Sequence, residues 1–224
     1  MISINVYNKY NNEETKEFET INFNETKFVN NFEETLNTYI IKNELSPTGF
    51  RNFRIISDEV YSQTVRVRGQ IVHEVVKQEL FIAYSKELAN EGNFVQGSLI
   101  TLCRKDDSFK VKNTFEARFN VEYEQYKFDV LRIIEASADV RNANFDVNIE
   151  TVNGVSMRGT RVHNTQYYEQ MLRNGDLKAV MVNYDMPEKT VTFRVSVEGN
   201  LLLYSSLSDY EILELVEILI NLQE

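Results

Sequence analysis

Residues 178–219 read KAVMVNYDMPEKTVTFRVSVEGNLLLYSSLSDYEILELVEIL, and the fold class is decided there. Apolar and polar residues alternate over 178–184 and 190–198, and 201–204 adds a third apolar run. A period of two marks a strand with one buried face. Asp185-Met186-Pro187-Glu188 and Gly199-Asn200 supply the turns between them. Ser208 followed by Glu211 forms a capping box. The spacing then becomes helical, with Ile212, Leu215, Val216 and Leu219 on one face. Leu213, Ile218 and Ile220 fall outside that stripe, so this helix is expected either to be buried on more than one side or to present them to a partner. Antiparallel strands followed by a covering helix define an α+β unit.

Working outward, 145–152 and 155–162 flank Asn153-Gly154, a strong hairpin signal. A short helix is expected over 165–173, capped by Asn164 and closed by a left-handed Asn174-Gly175. Another helix is expected over 126–138, with Val130, Ile133 and Ile134 inward. From 50 to 123 the pattern is mostly period two, giving strands over 63–76, 79–84, 98–104, 108–115 and 117–123, with Lys105-Asp106-Asp107-Ser108 as a hairpin turn. Over 25–43, Phe28, Val29, Phe32, Leu36, Tyr39 and Ile40 suggest a helix, stopped by Ser46-Pro47-Thr48-Gly49. The first strand, 2–7, is expected to pair with 18–23 across a polar loop, 8–16.

The reading is an α+β fold: a mainly antiparallel sheet, meander- or barrel-like, with a dozen or so strands and about four helices. The N-terminal and C-terminal helices are expected on sheet faces. The chain divides into a strand-helix-meander region, 1–142, and a hairpin-plus-ββα region, 143–224, unless it is one continuous domain. Stretches 108–136 and 190–218 match when Leu131 is aligned with Leu213, which suggests a duplicated strand-strand-helix unit.

The catalytic equipment is sparse. The 224 residues include two histidines, His73 and His163, one cysteine, Cys103, and no tryptophan. His73 lacks a second histidine four residues on, where Lys77 stands, so the zinc-protease spacing fails. His163 has no second imidazole nearby in sequence, and a zinc site built without one needs several cysteines. Cys103 ends an apolar run, where a thiol is expected to be buried and inert. The carboxylate pairs Glu13-Glu14, Glu33-Glu34, Asp58-Glu59 and Asp106-Asp107 fall in turns or on expected helix surfaces. Gly92 and Gly97 are too isolated to cradle a phosphate. These features imply no catalytic centre, no cofactor and no metal.

Acidic residues outnumber basic ones 34 to 24, for a net charge of −10. Such a charge repels nucleic acid and anionic membrane at long range and attracts basic proteins. Against this background Arg66, Arg68 and Gln70 share one expected strand face, Lys110 and Lys112 another, and Arg158 and Arg161 lie close together. Neighbouring strands would merge them into a cationic face able to bind phosphates or an acidic protomer. Residues 1–15 lack the basic start and apolar run of a signal peptide, and no stretch reaches the roughly 18 apolar residues that span a bilayer. A lone cysteine fits a reducing, cytoplasmic setting.

The first functional expectation is a non-enzymatic structural or assembly protein working through protein–protein contacts, as a homo-oligomer or within a larger assembly. Richness in Asn, Lys, Ile and Tyr suggests a low-GC bacterium or its phage, and hence a virion or mobile-element particle. The alternatives are an acidic inhibitor or immunity-type protein that binds a basic partner, and nucleic-acid binding through the Arg66/Arg68 face.

Overall fold

Strand β1 (Ile2–Lys9) separates two buried layers. Its side chains alternate, so Ile4 and Val6 enter one apolar core while Tyr7 enters the other. In this computed structural model, residues 1–10, 18–87 and 96–222 are described. The stretch 11–17, with Glu13 and Glu14, and Gly92 lie outside the described residues.

β1 is also the seam of the sheet. Along one edge it pairs with β6 (Leu99–Thr101). Along the other it pairs with β12 (Asn200–Leu203) and then β7 (Tyr123–Gln125). Beyond β6 lie β5 (Gln70–Lys86), β4 (Phe50–Val67), β3 (Phe32–Leu45) and β2 (Ile21–Val29). Beyond β12 lie β11 (Thr190–Ser196), β10 (Gly175–Asp185), β8 (Asp139–Ile149) and β9 (Val152–Arg158). Every pairing is antiparallel, and the 12-stranded sheet stays open rather than closing into a barrel. Asn142, where the sequence suggested a division, lies within β8 and pairs on both sides.

Among the described residues, four α-helices cover parts of the two faces. α2 (Val130–Ala136), α3 (Gln166–Asn174) and α4 (Asp209–Asn221) pack on the larger core, which includes Ile4, Tyr84, Val180, Phe193 and Leu203. α1 (Lys105–Phe119) covers the other face against β1, β5 and β6. Phe18, Phe53, Phe115 and Phe119 stack edge-on there, with centroids 4.9–5.8 Å apart. The helix over 130–136 and its inward Val130, Ile133 and Ile134 agree with the sequence, as does the Ser208–Glu211 capping box.

Several expectations are corrected. The N-terminal helix over 25–43 is instead the β2–β3 hairpin. Phe32, Leu36 and Ile40 are four apart, a spacing that puts residues on one face of a strand as readily as of a helix, while Phe28 lies across the turn on the other face. Asn30 and Asn31 decide between them, because both adopt left-handed φ (48° and 68°) and close a two-residue turn. Conversely, 105–119 is a helix rather than a turn and a strand. Ser108, Val111, Phe115 and Phe119 are its buried stripe, Asp106 and Asp107 favour its first turn, and left-handed Asn120 ends it. The resemblance of 108–136 to 190–218 therefore fails at its first strands. β1 does not pair with 18–23. The β8–β9 turn is Glu150–Thr151, while Gly154 pairs with Asp146 inside the ladder. Thr165, rather than Asn164, caps α3, and Gly175 is extended and opens β10.

Candidate interaction surfaces

The residues expected to form one cationic face are dispersed. Arg66 lies near the end of β4, and Arg68 sits in the two-residue β4–β5 turn with φ of 49°, directly before Gln70. Lys110 and Lys112 lie on α1 because that segment is helical. Lys110 pairs with Glu59 at 2.8 Å, and Lys112 pairs with Glu116 at 3.0 Å. Arg158 ends β9, and Arg161 precedes a 3-10 turn, its main-chain N–H donating to Asp139. The three candidate partner-facing side chains of α4 are occupied within the chain. Leu213 and Ile220 are fully buried, and Ile218 packs against the same core. Burial on more than one side accounts for that helix's wide apolar surface.

Two other surfaces are open. The first is an arm formed by the far ends of β4 and β5. Ile56 faces Leu80, Val60 faces Val76 and Val65 faces Val72 across the ladder. Leu80, Val76 and Val72 are four apart on β5, so all six side chains share one sheet face. That face continues from Ile82, which packs on the larger core. No helix follows it outward among the described residues, and Leu80 is 57% and Val76 41% exposed. The opposite face of the arm mixes polar and apolar groups: Val75 and Ile71 lie on it, the Tyr61 hydroxyl donates to Glu79, and Lys77 stands over the Tyr61 ring.

The β2–β3 tip is strapped to this arm by Asn30. Its amide oxygen accepts from the main-chain N–H groups of His73 (2.9 Å) and Glu74 (3.1 Å). Its amide nitrogen donates to the Glu74 carbonyl at 2.7 Å, and its own main-chain N–H donates to the Glu74 carboxylate at 2.8 Å.

The second open surface is the sheet face of β8–β12 on the side that carries α1. Arg158, Asn142, Met181 and Arg194 are consecutive cross-strand partners, so they form a row across four strands. Two bulges add cations to this face. Val140 and Ala143 both enter the core although they are three apart, which turns Arg141 and Asn142 together to the open side. Leu177 and Val180 do the same around Lys178 and Ala179. Arg141, Arg158, Arg194 and Tyr204 line one shallow depression. Arg141 reaches Asp139 and Lys178 reaches Asp146, whereas Arg158 and Arg194 form no ion pair or side-chain hydrogen bond among the described residues. Sequence reasoning found Arg158 but missed Arg194, whose signal lay in the alternation of Thr192, Arg194 and Ser196 with Val191, Phe193 and Val195. Arg141 gave no such signal, because a bulge breaks the period.

The groups with catalytic potential are held in structural settings. The Thr64 hydroxyl bonds the His73 ring at 3.2 Å. Burial pushes the Cys103 thiol up to about 11, so the nucleophilic thiolate is suppressed. Tyr7, Ser108 and Thr101 form a buried chain of hydroxyls that fastens α1 to the sheet. Among the described residues, no group of three or more His, Cys, Asp or Glu side chains is placed to hold a metal ion. Among them too, no helix is long and apolar enough to cross a membrane. No protein-family model matches the chain, and no curated protein matches it either.

Proposed function

We propose that the chain is a non-enzymatic assembly subunit that works through protein–protein contacts in a complex containing several copies of itself. The apolar stripe Ile56, Val60, Val65, Val72, Val76 and Leu80 carries this reading. These apolar pairs alternate with the polar pairs Asp58–Gln78 and Ser62–Glu74 on the same face. A two-stranded ribbon is marginal in water by itself, and exposed apolar side chains set among polar ones on such a ribbon suit a protein–protein contact. The Asn-, Lys-, Ile- and Tyr-rich composition favours a low-GC source, and a phage particle built from repeated copies is the most concrete setting for such a subunit.

Light scattering on a sizing column, across a range of concentrations, tests the reading. The wild-type chain is expected at a multiple of the single-chain mass. The exposed double substitution Val76→Asp/Leu80→Asp is expected to lower that mass while circular dichroism stays unchanged. A single-chain mass at every wild-type concentration overturns the proposal.

A further inference from the structure

Arg158 and Arg194 form no ion pair among the described residues, and neither do the two glutamates at a hairpin tip at the other end of the sheet. Arg158 and Arg194 stand three strands apart, roughly 14 Å at the usual strand spacing. Met181 lies between them and Tyr204 beside them. At the β2–β3 tip, Glu33 and Glu34 are exposed on opposite faces of the hairpin and form no ion pair among the described residues; Lys27, directly across from Glu34, pairs with Glu25 instead. Phe28 lies directly opposite Glu33, and Phe28 and Phe32 are 75% and 72% exposed. One end of the molecule thus offers carboxylates beside aromatic rings, and the other offers guanidinium groups beside a thioether and a phenol.

We infer that the depression lined by Arg141, Arg158 and Arg194 receives the Glu33/Glu34 hairpin tip of a second copy of this chain. The inference rests on the assembly reading and names its partner and contact. A chain cannot satisfy itself this way, because seven strands lie between β3 and β8 in the sheet order. At about 4.8 Å per strand that is more than 30 Å of sheet. Guanidinium groups bind carboxylates in a fork geometry and stack on aromatic faces, so a tip carrying both suits a row of arginines. Contact between unlike ends is heterologous, and it repeats into a ring or a filament. On a chain of net charge −10, uncovered arginines form a local exception to overall self-repulsion.

Charge reversal at each end, followed by mixing, tests the contact. Arg158→Glu/Arg194→Glu leaves an acidic tip and an acidic row, and Glu33→Arg/Glu34→Arg leaves a basic tip and a basic row. Each double variant alone is expected below the wild-type mass, at no more than the species that the arm contact sustains by itself. An equimolar mixture is expected to recover the wild-type assembly mass, because each tip then meets an opposite row. Raising the salt concentration is expected to weaken the wild-type assembly. Wild-type mass in either variant alone, or a mixture that stays at the lower mass of the separate variants, overturns this docking while leaving the assembly reading intact. A wild-type chain that never self-associates overturns both.

Discussion

Lys86 on β5 and Glu217 on α4 form an ion pair in which the lysine side chain is 1% exposed. The Lys86 ammonium also donates to the Thr48 carbonyl at 2.8 Å and lies 4.4 Å from the centre of the Phe50 ring. A little over two turns earlier on α4, Asp209 accepts from the Tyr84 hydroxyl, so two polar contacts from β5 fix the register of the helix over the sheet. The Tyr84 hydroxyl is pushed above its ordinary range, by burial first and by that carboxylate second.

Removing one member of the buried pair strands the other. Glu217→Ala is expected to cost about 3 kcal/mol, the low end for an uncompensated buried charge, since Glu217 itself is partly exposed. Lys86→Met/Glu217→Leu is expected to stay within about 1 kcal/mol of the wild type. Urea midpoints for the three proteins check both statements.

Glu211 links stability to acid. The Lys189 ammonium first, and then the main-chain N–H and hydroxyl of Ser208, hold its carboxyl down at about 2, against an ordinary 4.5. The folded state therefore binds this proton more weakly than the unfolded chain does. The stabilisation is complete above pH 4.5 and is lost as pH falls towards and through 2. Glu211→Gln is expected to flatten the acid limb of a stability-versus-pH curve in that window, measured by denaturant unfolding.

Gly199 turns the chain between β11 and β12 with φ of 88°, and a Cβ there would lie 1.8 Å from the Tyr126 carbonyl oxygen. Gly199→Ala is expected to destabilise by at least about 2 kcal/mol, through strain and a backbone clash. Gly69, with φ of 84°, has no atom within 4 Å of the same position, so Gly69→Ala is expected to cost about 1 kcal/mol. Parallel thermal melts compare the two.

Asn30→Ala removes the strap between the β2–β3 tip and β5. Hydrogen exchange at the His73 and Glu74 amides is expected to quicken, while amides of α4 keep their wild-type protection. Unchanged exchange at His73 and Glu74 would mean that the ladder alone protects them.

Cys103 is expected to alkylate slowly in the native protein. Its shift from 9.0 to about 11 lowers the thiolate fraction near neutral pH roughly 100-fold. Iodoacetamide labelling of native and urea-unfolded protein measures the ratio.

How much was legible in the sequence depended on whether one period was unambiguous. Val191, Phe193 and Val195 alternate with no competing spacing, and Ser208 and Glu211 are a matched cap, so β11 and α4 were read correctly. At 32, 36 and 40 the two periods coincide, and only Asn30-Asn31 marks the turn that sets Phe28 on another strand. Over 105–119 the helical spacing competed with a plausible alternation, and the deciding signals, Asp106-Asp107 and Asn120, lie at the ends of the element. The open arginine face was illegible for a different reason: Arg158 and Arg194 are 36 positions apart in sequence and share a face only through the order of β9, β8, β10 and β11.

The seam made by β1 sets an order of events during synthesis. The β2–β3 and β4–β5 hairpins join neighbours in sequence and are free to zip as they leave the ribosome. Ile2, by contrast, waits for Leu203, about two hundred residues later, before its ladder can close. Until then the edge of β1 that β12 covers has no partner, and long-range closure of this kind is slow. The interval before β12 emerges is when the nascent chain is most open to mispairing with its neighbours on the same message, and a chaperone that shields β1 would act there.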